Sequence, residues 1–378
     1  MKKIFVYAYM AQNLGDDLMV RILCDRYPNA QFYLYSDKFY KTAFKDIKNL
    51  IIYSSEDKEV KFWNKALKHI KKTTNGFMER LMEKCDATVH IGGSVFIQHN
   101  DDYSAFLKAD ADLRKFSKKV YLIGSNFGPY KDKQYYLDYH CLLSTYDGVS
   151  FRDRYSYNKF KDIPQVVYAP DVVFNYKTTL STNIEHRVLF SAISLAGRND
   201  NFAIMQYWEV YRKFIQNLAK KYLELGYNIT FLSFCEPQGD LYEISEIINT
   251  SDFDNFKDKI EVKNYNGNIE ESISLIKESE IIVGTRFHSI ILGWLFNKLV
   301  LPIVYDNKTM QVLNDMNLKN YALLQEIDKV SIDCFIKNIE SVSSSEIDVL
   351  KKEAENHFKY LDLFINDNEI KKRRQDCE

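Results

Sequence analysis

The 378-residue chain is 46% hydrophobic and 27% charged with only 6 prolines, the composition of a folded soluble protein rather than of a disordered or low-complexity one. Its length is that of two domains rather than one core. The 51 lysines and arginines nearly cancel 52 acids, so no global field draws the chain to nucleic acid and any anion site has to be local.

Six cysteines (Cys24, Cys85, Cys141, Cys235, Cys334, Cys377) are scattered singly. They have neither zinc-site spacing nor the density of a disulfide framework, and read as reduced thiols of a cytoplasmic protein; no metal site is expected. Met1-Lys2-Lys3 and the apolar run to Ala11 read as a buried first strand, because Gln12-Asn13-Leu14-Gly15-Asp16-Asp17 follows at once with no small-residue cleavage site. No apolar run approaches the ~20 residues that span a bilayer.

Short β-rich runs alternate with longer helical patterns, which predicts βα units on parallel sheets. Strands are expected at Lys3–Ala8, Gln31–Tyr35, Asn49–Tyr53, Ala87–Ile91, Val120–Ser125, Gly148–Phe151 and Val166–Tyr168, with helices between them. The rhythm restarts with strands at Arg187–Ser194, Tyr227–Phe234, Ile260–Val262, Glu280–Val283 and Leu299–Val304. The polar, threonine-rich stretch Asn175–His186 between the two series reads as a linker. The expected architecture is α/β, with two doubly wound Rossmann-like domains facing across a cleft. Residues 1–178 form the first, the expected acceptor side, and 186–342 the second, the expected donor side. Residues 343–378 add a helix with a capped start at Ser343 and a basic tail, Lys371–Arg374. A basic, aromatic-flecked segment, Lys61 through Lys72, reads as a solvated helix face, with peripheral membrane association as the alternative.

Ligands of such folds sit at the carboxyl ends of strands, so the motifs there carry the chemistry. After strand one comes Asn13-Leu14-Gly15-Asp16-Asp17; either acid can cap a helix or serve as a base for a sugar hydroxyl. Gly92-Gly93-Ser94 and Gly124 to Pro129 end two further strands and allow close backbone approach to an anion. Phe151-Arg152-Asp153 offers a guanidinium for a carboxylate or phosphate, or a structural pair. In the second half Gly284-Thr285-Arg286-Phe287-His288-Ser289 puts an anion fork and a titratable imidazole at a helix start, and Tyr305-Asp306-Asn307-Lys308 adds a phenol and an ammonium at the next strand end. Arg198 is a weaker anion candidate. The first turn lacks Gly-x-Gly-x-x-Gly and P-loop patterns, which argues against nicotinamide enzymes and ordinary NTPases.

The ordered set Asn13 to Asp17, Gly92-Gly93-Ser94, Gly128-Pro129, Phe151-Arg152-Asp153 with Ser156, Pro170-Asp171, Thr285 to His288 and Tyr305 to Lys308 resembles the polysaccharide pyruvyl transferase family. That resemblance implies a GT-B-like fold and transfer of pyruvate from phosphoenolpyruvate to a sugar as a ketal, with no cofactor. It also implies a glycan acceptor, free or lipid-linked, and a role in building cell-surface polysaccharide in the cytoplasm or at the inner membrane face. By the likeness Arg286 and His288 match the donor-binding and catalytic pair, and Arg152 an active-site arginine. Ser94 stands where many members have a third glycine, and Tyr53 to Lys84 has no counterpart. The expected roles are His288 as acid, Asp16 or Asp17 as base, and Arg286, Arg152, Lys308, Tyr305, Ser289, Gly92, Gly93, Ser94 and Asn13 as binding groups. A nucleotide-sugar glycosyltransferase and a non-catalytic glycan-binding subunit are the rival readings.

Overall fold

The computed structural model describes the backbone of residues 1–71, 76–195 and 204–366, and their side chains apart from 68–71. Arg198, Cys377, Lys371–Arg374 and the side chains of 68–72 lie outside the described set. Two compact units emerge: Met1–Met10 with Met19–Asn175 and the segment from Lys352, and Ala11–Leu18 with Tyr176–Lys351. The turn after the first strand thus groups with the second unit, and the described residues from Lys352 with the first.

In the first unit seven strands run β1 (Lys3–Ala8), β2 (Gln31–Tyr35), β3 (Leu50–Tyr53), β4 (Ala87–Ile91), β5 (Val120–Ser125), β6 (Gly148–Phe151) and β7 (Val166–Tyr168). All pairings are parallel, in the order β3-β2-β1-β4-β5-β6-β7. Strands β4, β5 and β6 are buried along their whole length, as expected for central parallel strands covered on both faces. Aromatic side chains of the crossover helices fill one face: Tyr135, Tyr139 and Phe160 pack with Phe96, Phe127 and Phe151.

The second unit repeats the plan with β8 (Arg187–Ser191), β9 (Asn228–Ser233), β10 (Ile260–Asn264), β11 (Ile281–Gly284), β12 (Leu299–Val304) and β13 (Ala322–Leu323), parallel and ordered β10-β9-β8-β11-β12-β13. Both sheets start from an inner strand, build outward on one side, then reverse. The reversal creates a crevice beyond the strand ends, between β1 and β4 in the first sheet and between β8 and β11 in the second. The helix Trp208–Glu224 covers the second sheet through Tyr211, Phe214, Ile215, Leu218 and Tyr222, a spacing that keeps one face apolar.

Helices depart from the sequence reading in instructive places. The helix after β11, expected over Ser289–Phe296, starts at Phe287, and every residue through Leu295 is buried. The segment Tyr53–Lys84 folds as two helices, Lys58–Lys71 and Gly76–Lys84. Ser343 does form a capping box, with its N–H donating to Glu346 Oε2 at 2.8 Å and the Glu346 N–H to Ser343 Oγ at 3.2 Å. Among the described residues no helix is long and apolar enough to cross a membrane, and no group of three or more His, Cys, Asp or Glu could hold a metal ion.

Candidate active site

The crevice of the second sheet is where Arg286 and His288 stand. Strand β11 ends in Gly284, whose missing side chain makes room for Ile290 and Ser289; an added Cβ would lie 2.6 Å and 2.9 Å from them. Arg286 keeps extended backbone (φ −70°, ψ 129°) as the N-cap, and the helix begins at Phe287. Thr285 and Arg286 both donate their N–H to Ser191 Oγ at 3.3 Å, which ties the turn to the end of β8. Ser289 is fully buried, its hydroxyl 2.5 Å from Ser191 Oγ and donating to Arg286 O at 2.6 Å. It was expected to contact substrate; the structure instead makes it an internal brace of the turn, because both its contacts are protein.

Arg286 is 6% exposed and does not present a naked charge. Its Nε donates to Asp240 Oδ2 at 2.8 Å, Nη2 donates to Asp240 Oδ1, and Nη1 donates to Gln238 Oε1 at 2.5 Å. Burial alone pushes the guanidinium pKa down, but Asp240 more than restores it, so the cation is held protonated. Three of its five N–H donors are engaged by these two partners. Asp240 also accepts from the Cys235 N–H at 3.0 Å, and burial raises the Cys235 thiol to about 11, leaving it neutral.

His288, 8% exposed, is covered by the turn that follows β1. A Cβ on Gly15 would lie 1.8 Å from His288 Nδ1 and 2.2 Å from Cγ, so the imidazole rests directly on the glycine backbone and only glycine fits. Three further bonds seat this strap within the second unit: Leu14 N–H to Phe234 O at 3.1 Å, Cys235 Sγ to Ala11 O at 3.3 Å, and Tyr265 OH to Asp17 Oδ2 at 2.7 Å. Asn13 caps the helix Leu14–Arg26, its Oδ1 accepting from the Gly15 N–H at 3.0 Å and its carbonyl from the Asp17 N–H at 2.9 Å. Its side-chain oxygen therefore shapes the turn, while the residue keeps partial exposure. Of the two acids, Asp17 is 0% exposed and fastened to Tyr265, which takes it out of a substrate's reach; Asp16 keeps partial exposure.

Lys308 flanks this group. Its Nζ lies 3.2 Å from Asp306 Oδ2 and 5.9 Å from the centre of the Phe287 ring. Burial alone would raise the Asp306 pKa, but Lys308 with the N–H and hydroxyl of Thr309 outweighs it and holds the carboxylate below its ordinary range. Tyr305 is 8% exposed, packs into the core of the second unit, and its phenol is close enough to act on the Arg286 charge.

The other predicted residues form a second constellation, wholly in the first unit. Arg152 is 2% exposed; Nη1 donates to Asp171 Oδ2 at 3.1 Å, and Nη2 to Asn126 Oδ1 at 2.8 Å and Ser94 Oγ at 3.3 Å. The guanidinium lies flat on Gly93, where a Cβ would stand 2.5 Å from Nη1. Gly93 O in turn accepts from the Asn126 N–H and Ser125 Oγ. The expected donor clamp is thus corrected to a buried strut: Arg152 has its charge matched by Asp171 and knits the Gly92–Ser94 turn to the end of β5. Gly92 lies close to Val95 and Ser94 Oγ donates to Asn126 Oδ1 at 3.0 Å, so the glycine turn is internally bonded. Asp153 caps the helix Arg154–Phe160 through the Ser156 N–H at 2.7 Å.

Asp240, Gln238 and Tyr265 escaped the sequence reading. Gly239-Asp240 after β9 carries the same glycine-acid pattern at a helix start as Gly15-Asp16, and that was the available signal. His357 also escaped: buried near the chain's end, it sits 2.9 Å from Ser150 Oγ and donates from Nε2 to Pro170 O at 2.6 Å, bracing the turn that carries Asp171.

The family described as polysaccharide pyruvyl transferase matches residues 13–307, from the strap through the helix start beside Lys308. The chain belongs to the polysaccharide pyruvyl transferase family. A curated relative from Erwinia amylovora, the amylovoran biosynthesis protein AmsJ, is 23% identical over 261 residues, 64% of this chain; the chain spans 62% of that relative's length. Among solved structures, Anabaena HepE in complex with UDP and glucose aligns over 100% of both chains with a TM-score of 0.52 at 10% identity. The Staphylococcus aureus MnaA structure with UDP aligns over 97% of both at 0.56 and 12%, and a Methanocaldococcus jannaschii UDP-GlcNAc 2-epimerase over 96% of this chain and 99% of that one at 0.55 and 12%. At these identities the likeness is one of fold, and the fold is the GT-B-like pair of Rossmann-type sheets that the sequence predicts.

Proposed function

We propose that this family member is a transferase acting on a polysaccharide or its precursor, and that it moves pyruvate from phosphoenolpyruvate onto two hydroxyls of one sugar. The observation that carries this reading is His288 seated on Gly15 beside Arg286 at the crevice of the second sheet, with Asp16 on the same strap. An imidazole next to a ligand anion favours its protonated form. His288 gives its proton to the methylene carbon of the donor, and the adjacent carbon becomes oxocarbenium-like. One sugar hydroxyl attacks there while Asp16 takes its proton; the second hydroxyl displaces phosphate and closes the ketal, its proton returning to His288 while the proton held by Asp16 leaves with the phosphate. The phosphate and carboxylate of the donor meet the remaining N–H donors of Arg286, the ammonium of Lys308 and the start of the helix at Phe287.

Family membership and AmsJ's description as a biosynthesis protein of amylovoran support the acceptor class. Phosphorus NMR of the purified protein with phosphoenolpyruvate and candidate oligosaccharides tests the reaction, followed by mass analysis for a carboxyethylidene adduct. General acid catalysis is worth about 10²–10⁴ in rate, so His288→Ala is expected to slow phosphate release by that factor with donor affinity retained. Nucleoside diphosphate release from a nucleotide sugar, with phosphoenolpyruvate untouched, would replace this reading by glycosyl transfer.

A further inference from the structure

The segment Tyr53–Lys84, which has no counterpart in the family resemblance, builds a cavity of 190 Å³ against the edge of the first sheet. Arg80 is its most telling wall. The guanidinium carbon stacks 4.0 Å over the centre of the Trp63 ring, and its Nε is buried with no hydrogen-bond partner among the described residues. A planar cation fixed by stacking, with donors left over, is arranged to receive a planar anion. Lys3 and Lys84 line the same cavity, with Glu59 the one carboxylate among its walls; neither lysine forms an ion pair with a described residue. Three cations against one acid make the cavity attractive to negative charge.

The remaining surface tells what kind of anion. Tyr33 and Tyr53 present phenols on the outer strands β2 and β3, and Phe77 closes the floor. Aromatic faces suit the C–H faces of a sugar ring, while phenols and a carboxylate suit its hydroxyls. The 190 Å³ leaves room for one sugar ring.

We propose that this cavity binds one carboxylate-bearing sugar unit, as found in acidic polysaccharides, with Arg80 holding the carboxylate. Its sugar preference rests on the polysaccharide reading above; its position does not, since it involves no residue of the His288 site.

The test is calorimetric titration and chemical-shift mapping of the full chain with methyl glucuronoside, methyl glucoside and inorganic phosphate. Methyl glucuronoside is expected to bind and to shift the Arg80 and Trp63 side-chain signals. Methyl glucoside is expected to bind about tenfold more weakly or worse, the worth of a charge-assisted hydrogen bond, and phosphate to bind weakly. Arg80→Gln is expected to abolish the preference for the acidic sugar while phosphoenolpyruvate turnover is unchanged. Lys84→Gln, an exposed substitution that leaves the fold intact, is expected to weaken acidic-sugar binding several-fold. Equal binding of both glycosides, binding that ignores Arg80→Gln and Lys84→Gln, or phosphate binding as tight as the glucuronoside would each overturn the proposal. Acidic-sugar binding at Arg80 in a protein that never consumes phosphoenolpyruvate would uphold it while sinking the transfer reaction.

Discussion

Gly15→Ala isolates the contact between the strap and the imidazole. The new methyl would lie 1.8 Å from Nδ1, 2.2 Å from Cγ and 2.7 Å from Cβ of His288. Ordinary contact begins near 3.4 Å, so the ring has to retreat by about 1.6 Å. A displacement of about 1 Å at a reacting group costs on the order of 10² in rate, and loss of the acid altogether caps the effect at about 10⁴. The expected fall in turnover is therefore 10²-fold or more. Stability is expected to fall by at most about 2 kcal/mol. Gly15 lies in the helix Leu14–Arg26 and is not among the positive-φ glycines, so alanine gains about 0.8–1 kcal/mol of helix propensity, against a clash of about 1–3 kcal/mol. Phosphate release measured beside calorimetric melting separates the two effects. In a His288→Ala background the same substitution is expected to add little further loss of turnover, because the ring it displaces is gone and only the 2.7 Å approach to Cβ remains. Wild-type turnover in Gly15→Ala, or rate losses that multiply in the double variant, would refute the idea that this glycine exists to seat the imidazole.

Breaking the buried pair with Asp240→Ala strands the Arg286 charge and is expected to cost about 3–5 kcal/mol in urea unfolding; adding Arg286→Met should recover most of that stability and none of the turnover. Gly93→Ala pushes a methyl to within 2.5 Å of Arg152 Nη1 and is expected to destabilise the first unit by about 2 kcal/mol, with a near-neutral result showing that the strut is dispensable. His357 gives a pH signature. Burial, aided by the Arg152 charge and opposed by the bond to Pro170, lowers its pKa to about 3. The unfolded chain therefore binds a proton below about pH 6.5 that the folded chain does not, and stability falls as pH drops from there toward 3. His357→Gln lacks that proton, so the stability gap between wild type and variant is expected to narrow through this window by up to about 5 kcal/mol; a gap that stays constant with pH contradicts a neutral buried imidazole.

Much of the fold was readable because β-branched and aromatic runs alternate with amphipathic stretches at a spacing few other folds produce, and because glycine marks the strand ends where the chain has to turn. β13 escaped, being only Ala322–Leu323 and too short to show a period. The candidate site was legible at the level of motif and opaque at the level of partnership. Arg286 announces itself by standing beside His288, whereas Asp240, 46 residues earlier, meets it only because strand order places β8 between β9 and β11. The same blindness made Arg152 and Asp17 look available to a ligand. A lone sequence shows a charge and not the opposite charge that a distant turn delivers to it. Ser289 was misplaced for a simpler reason: the helix begins at Phe287, which rotates that hydroxyl inward.

The strap has a practical corollary for anyone dividing the protein. Expressed by itself, Tyr176–Lys351 would emerge without Ala11–Leu18, baring the Phe234 carbonyl, the Tyr265 hydroxyl and the flank of the imidazole. A synthetic peptide covering those eight positions should dock onto such a fragment in trans. The half-proteins defined by the linker are consequently not self-sufficient pieces, and a clean dissection has to circularly permute or graft the N-terminal loop rather than cut at the obvious seam.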